Sequence, residues 1–371
     1  GGPNMRRSDL GWCRGRGGFT LVELLVGIAV LSLLIGIMVP AVGAARRTAM
    51  KATSAARIRS LAQAQFNYAA DSRHWLAGPN TSGDRYDDRW VAGPVRGGWE
   101  DLWGVTSAST PTRATDWIST VIGDSAGLSP DRPRRLQQIL NEHGDPTARP
   151  IDSFWPSTRP IGYGDLAQFD AIGASEFLQT SYLMPITFQL IGDTDRFRTR
   201  RGDRLRYKFV QRAWFADGAT VPSGYLPKLD RVGRVLARKV MIAEGSRMVT
   251  KGRGLSINIH PQVRLDQPHF GNFMANTPIY HHGSAYGRDP TSPYQVVPVA
   301  NVRASYRHPG PSINAAMFDG SVRSMTQTES YTDPTPWFPS GSTWTGRLAT
   351  PESIEFMADV YGGDAIGTRL P

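Results

Sequence analysis

The chain has 371 residues, enough for one large or two moderate domains, and its 40% hydrophobic and 20% charged residues exclude disorder throughout. Its net charge of +10 comes from 42 basic residues, five of them Lys, which are scattered rather than gathered in a stripe, so nucleic acid is not expected as a partner. A single cysteine, Cys13, excludes a disulfide framework, and 39 Gly with 27 Pro imply a body rich in loops.

Residues 1–18 form a basic leader with Arg6, Arg7, Arg14 and Arg16 against one acid, Asp9. Leu10-Gly-Trp-Cys13 has no apolar stretch in front of it, so Cys13 is not a lipidation site. Behind the Gly18–Phe19 junction come 21 residues, Phe19 to Val39, in which only Glu23 is charged, and Pro40 closes the run. As a helix this run is about 32 Å long, matching a hydrocarbon core of about 30 Å. In a secretory signal the apolar stretch precedes the cut. Here the order is reversed, so a chain cut at Gly18–Phe19 keeps its membrane helix. A carboxylate inside such a helix is costly and needs a partner. Cleavage before Phe19 would create one, a free amine four residues from Glu23. Charge alone barely orients the span, because Arg46, Arg47 and Lys51 just beyond it offset the leader.

The stretch Gly18-Phe-Thr-Leu-Val-Glu23-Leu-Leu-Val resembles the class III signal of type IV prepilins and type II secretion pseudopilins. The resemblance covers about 45 residues and implies cleavage after Gly18 and N-methylation of Phe19 by a prepilin peptidase. It also implies an assembly role for Glu23, a helix kink at Pro40, and a leader on the cytoplasmic side. The implied setting is the bacterial inner membrane, crossed once, with membrane lipid and other pilin or pseudopilin subunits as partners. The C-terminal domain would be periplasmic or extracellular, in a surface fibre or at the membrane.

After Pro40 the pattern stays helical. Ile58, Leu61, Ala62, Phe66 and Ala69 form an amphipathic stripe opposite Arg46, Arg47, Arg57 and Arg59. One long helix is expected from about Thr20 to Tyr68, bent or softened near Pro40. Residues 71–125 read as loops, with Trp90, Trp99, Trp103 and Trp117 as packing anchors or, more sharply, a sugar platform. A short helix is expected over Arg132 to Glu142. Strands are expected within Leu178 to Leu190, Leu205 to Phe215 and Val235 to Ala243, the last ending in a Glu244-Gly245 turn. Gly271 to Arg303 reads as loop. Phe318-Asp319-Gly320-Ser-Val322 predicts a hairpin, because Asp-Gly readily takes positive φ. Thr350 and Pro351 predict the start of a last helix reaching about Tyr361.

Few residues carry chemistry. Gly123-Asp-Ser125-Ala-Gly127 has the nucleophile-elbow spacing behind a possible strand end at Thr120-Val-Ile122, but the following residues cannot start a helix at the serine. His281, His282 and His308 have no helical metal-ligand spacing. Loose Asp/Asn-Gly groups leave calcium open as a ligand, without naming a ligand set; no other cofactor and no metal site is assigned. His308-Pro-Gly-Pro-Ser-Ile-Asn314, leading to Asp319-Gly320, is similar to the His-x9-Asp-Gly module fused to prepilin-type N-termini in a bacterial family. Here ten residues separate His308 from Asp319. In one reading, His308 and Asp319 meet and bind something. In the other, His308 bonds to the hairpin and Asp319 holds its turn.

The expected fold is α+β, a pilin-like long N-terminal transmembrane and amphipathic helix packed on a mainly antiparallel β-sheet domain with long loops. The expected parts are the leader 1–18, the helix 19–70 (transmembrane over 19–42) and an exported domain 71–371. The expected role is structural and not enzymatic, a subunit of a pilus or secretion pseudopilus. A membrane-anchored protein that displays a polysaccharide-binding or other ligand-binding surface is the alternative. An anchored hydrolase using Ser125, or a metal at His281, His282, His308 and Asp319, ranks last.

Overall fold

The structure, a computed structural model, describes residues 18–79, 81, 112, 116–123, 125–155, 166–192, 218–246, 249–250, 254–259, 273–281, 285–286, 299–363 and 365–371. The leader, Trp90, Trp99, Trp103, the strand expected over 205–215 and His282 lie outside these residues. The chain divides into two compact units, 1–48 and 49–371.

The first helix, α1 (Leu21–Asp71), runs through Pro40 without a break in assignment. Its start is a capping box. Thr20 N–H and Oγ1 each donate to Glu23 Oε2 at 2.8 Å, and Glu23 N–H returns a bond to Thr20 Oγ1 at 3.2 Å. In the first unit, the apolar side chains from Leu21 to Val42 stand exposed. This is the one described helix long and apolar enough to cross a membrane.

In the second unit, α1 turns Ser54, Ile58, Leu61, Ala62, Gln65 and Ala69 inward, a stripe of i, i+3 and i+4 steps. Gln65 is as buried as its apolar neighbours because its amide reproduces a main-chain pair. Oε1 accepts from Ala77 N–H at 3.0 Å and Nε2 donates to Ala77 O at 3.1 Å.

After α1, the described elements in chain order are α2 (Ile118–Ile122), α3 (Arg132–Glu142), β1 (Ser153–Trp155), α4 (Leu166–Ile172), β2 (Tyr182–Pro185), β3 (Ala219–Thr220), β4 (Val240–Glu244), β5 (Val249–Thr250), β6 (Gly254–Asn258), β7 (Met274–Ala275), α5 (Val299–Ser305), β8 (Ser312–Met317), β9 (Val322–Thr326), α6 (Gln327–Thr332), β10 (Thr343–Trp344) and α7 (Pro351–Tyr361). The main sheet has the order β7-β2-β4-β8-β9. Its pairings are antiparallel except β2 with β7. Two small sheets have the orders β1-β6-β5 and β10-β3. The fold is therefore α+β.

β2, β4 and β8 are buried along their whole lengths. A strand covered on both faces has no reason to alternate, which is why Val240-Met-Ile-Ala243 reads as one apolar run. β9, at the edge, is partly exposed. The β8–β9 hairpin turns at Asp319-Gly320. Gly320 has φ +86°, and Asp319 Oδ1 accepts from Ser321 N–H at 2.9 Å and Ser321 Oγ at 2.7 Å.

Several expectations need correction. Thr120-Val-Ile122 is the end of a helix, not of a strand. Asp116 accepts from Ser119 N–H at 2.9 Å, and this cap overrides the β-branched sequence. Residues 271–303 include β7 and α5 besides loop. The strand expected within Leu178 to Leu190 is short, because Ile186–Phe188 closes into a 3-10 turn. Thr350 does occupy the N-cap of α7, but its hydroxyl donates to Tyr331 O at 2.7 Å instead of capping the helix.

Candidate functional site

Two places in the chain carry unusual chemistry. The first is the start of α1. Gly18, Phe19 and Thr20 precede the helix, and Phe19 is 79% exposed, open to an enzyme. Before any cleavage, Glu23 already has partners, the N–H and hydroxyl of Thr20. It is thus not the uncompensated acid that composition implies, because a carboxylate at the third helical position can cap its own helix. Only Oε2 is used; among the described residues Oε1 makes no hydrogen bond.

The second place was not visible as a site in the sequence. Asp145, Glu244, Arg307 and His308 meet in the core, with side chains 0%, 0%, 8% and 1% exposed. Three segments far apart in sequence deliver them, Arg307 and His308 being neighbours in the chain. Asp145 follows α3 just past Gly144. Glu244 ends β4, opposite Tyr182 in the β2–β4 ladder. Residues opposite one another point to the same face. Here that face meets α1, so Ser54 Oγ contacts Tyr182 Oη at 2.9 Å, Asp145 Oδ2 at 3.1 Å and Glu244 Oε1. His308 precedes β8 and forms a β-bridge with Ser312.

The charges balance. Arg307 Nε lies 2.9 Å from Asp145 Oδ2, and its two terminal nitrogens donate to Ala304 O and Ser181 O. His308 Nε2 lies 2.9 Å from Glu244 Oε2 and 3.4 Å from Asp145 Oδ2. Burial opposes a charged imidazole, but the two carboxylates outweigh it and raise His308 to about 9, so the ring is cationic at neutral pH. Burial likewise pushes the Asp145 carboxyl up. Arg307, His308 and Thr147 overcome that and hold it well below the usual carboxylate range. Burial raises the Tyr182 phenol, which stays neutral. Two carboxyl groups, a guanidinium and an imidazolium are therefore packed together in the core.

One ligand atom from each of Asp145, Glu244 and His308 lies within 4.8 Å of the others, and these are donor types that hold divalent cations. The oxygens are already filled. Asp145 Oδ1 accepts twice from Thr147. Glu244 Oε2 accepts from Asn314 N–H at 2.7 Å, and Oε1 accepts from Asn314 Nδ2 at 2.8 Å and from Ser54. A metal would have to displace cations and donors that already satisfy both carboxylates, so the set fits a charge network better than a metal centre.

The network does not include the partners that the sequence offered. Asp319 and Gly320 stay at the hairpin turn, bonded to Ser321 and Met317. His281 lies in another segment, where its N–H donates to Leu348 O. Ser125 is exposed in a turn, donating to Ile122 O at 3.1 Å, and the next long helix starts only at Arg132. A helix beginning at the serine, which an elbow requires, is not there. Asp145 and Glu244 carried one weak signal: Glu244 is a lone acid closing an otherwise apolar strand.

The network also fastens α1. Asn314 Nδ2 donates to Lys51 O at 3.1 Å, Lys51 Nζ donates to Ser312 Oγ at 2.9 Å, and Arg57 donates to Gly144 O beside Asp145. With Ser54 these contacts key the second half of the helix, in rotation and in height, to the sheet.

No curated protein and no solved structure matches the chain. A family model described as the prokaryotic N-terminal methylation motif matches residues 13–39, the segment that holds Gly18, Phe19 and Glu23, and this supports a prepilin-type precursor.

Proposed function

We propose that this chain is a structural prepilin-like subunit of a pilus or secretion pseudopilus. A prepilin peptidase cuts after Gly18 and methylates Phe19. The helix then anchors the chain once in a bacterial inner membrane, with the body on the periplasmic or extracellular side. Assembly with other pilin or pseudopilin subunits runs through the exposed first half of α1. The observation that carries this reading is the methylation motif over 13–39 placed on an apolar helix whose large side chains from Leu21 to Val42 stand exposed among the described residues.

Glu23 fits the assembly step. Its Oε2 holds the start of its own helix, which leaves Oε1 for the amine of Phe19 on a neighbouring subunit. In lipid such a pair sets axial register, and removing one partner is costly. Within the second unit, the buried network fixes the second half of α1, from Lys51 on, to the sheet.

Glu23→Val tests this reading. The variant should insert in the membrane as the native chain does and fail to enter fibres, read by fractionation and by shearing. Normal fibre incorporation of the variant would refute the pairing.

A further inference from the structure

The uncharged stretch of α1 does not stop at Val39. From Leu24 to Ala45 the helix has no charged residue, and Arg46 and Arg47 end it together. These 22 residues span about 33 Å as a helix, slightly more than a hydrocarbon core of about 30 Å. With the Glu23 carboxylate at one face of the hydrocarbon, the two arginines fall in the first turn beyond the other face, at the depth of the headgroups.

Both are exposed, and neither has an ion pair among the described residues. The helix offers them no counter-charge, since it has no acid between Glu23 and Asp71. Further along, Lys51 is bound to Ser312 and Arg57 to Gly144, while Arg59 is exposed like the pair but lies about 18 Å further along the helix, past the headgroups. Arg46 and Arg47 are thus unpaired cations at the exit end of a span. Guanidinium groups in that position match phosphate oxygens in charge and in fork geometry.

We infer that Arg46 and Arg47 form a headgroup site for anionic phospholipid in the leaflet where α1 leaves the membrane. The inference rests on the reading of α1 as a membrane span. The pair holds the span at a fixed depth and draws anionic lipid around the subunit before it leaves the bilayer.

The full chain, carrying Cys13→Ser and a fluorophore on Thr48→Cys, is reconstituted in phosphatidylcholine vesicles. Quenching is measured with brominated phosphatidylglycerol or brominated phosphatidylcholine at equal mole fraction. A cation beside an anionic surface enriches that lipid roughly fivefold, so the phosphatidylglycerol should quench several-fold better, and high salt should shrink the preference. Arg46→Gln with Arg47→Gln should leave the label quenched, equally by both lipids. Equal quenching in the unsubstituted chain, or an undiminished preference in the double variant, overturns the headgroup site and leaves the span intact. A label that neither lipid quenches overturns the span and the site together.

Discussion

Replacing His308 by Gln removes one of two cations from a cluster whose two carboxylates are shut off from water. Asp145 keeps Arg307 at 2.9 Å, whereas Glu244 loses the imidazolium at 2.9 Å and keeps only neutral donors, Asn314 and Ser54. The magnitude follows from the proton. A histidine raised from 6.5 to about 9 in the folded chain binds its proton more tightly there, by roughly 3 kcal/mol. Breaking one partner out of a buried ion pair costs about 3–5 kcal/mol, which agrees. Because the folded value lies above the unfolded one, the contribution is fully present below pH 6.5. It fades as pH rises and is gone once pH passes the folded value near 9. The assay is urea unfolding of the full chain in mild detergent, followed by tryptophan fluorescence, from about pH 6 to about pH 10. The difference between native and His308→Gln chains should be roughly 3 kcal/mol at the acid end and should shrink towards the alkaline end. Parallel stability curves would show that His308 is not a charged member of the network.

Two further substitutions probe the body. Lys239 is buried, with Nζ donating to Thr335 O at 2.8 Å and to the main-chain oxygen of Pro371 at 2.6 Å. Burial lowers its ammonium to about 7, with Asp333 opposing, so the unfolded chain binds this proton more readily and the Lys239 contribution to stability should rise as pH climbs from about 7 towards 10.5, against the fall that His308 causes up to about 9. Lys239→Met should flatten that rise in the same urea series; an unchanged slope would refute the assignment. Gln65→Ala leaves the buried Ala77 N–H without its acceptor and should cost roughly 1–3 kcal/mol. A cost indistinguishable from zero would show that the amide clamp does not hold the helix to the loop after it.

What the sequence revealed was local. At Glu23 composition points only to an acid in need of a partner, and the structure shows it in a capping box with Thr20; Thr326 and Glu329 form the same box at the start of α6. Asp319-Gly320 formed the hairpin turn because a tight turn needs positive φ there. The buried network stayed hidden because no short-range rule connects Asp145, Glu244 and His308. Their meeting depends on the register of β2 on β4, which puts Tyr182 opposite Glu244, and on α1 crossing that face at Ser54. The same applies to Thr120-Val-Ile122, where β-branched composition pointed to a strand and the Asp116 cap decided for a helix. Of the two readings that came with the His-x9-Asp-Gly resemblance, the one in which Asp319 holds the turn describes the structure, and the one in which His308 and Asp319 meet does not. The hairpin carries Asp319 to its turn, while His308 stays by Ser312 at the opposite end of β8.

The most direct test of the account is the N-terminal residue and intact mass of the native protein, taken from cells and from sheared surface material. The account predicts a chain that begins at Phe19 with a methylated amine and that is converted by Gly18→Glu into one retaining residues upstream. A native chain that still carries those residues, or that begins at another position, would contradict it.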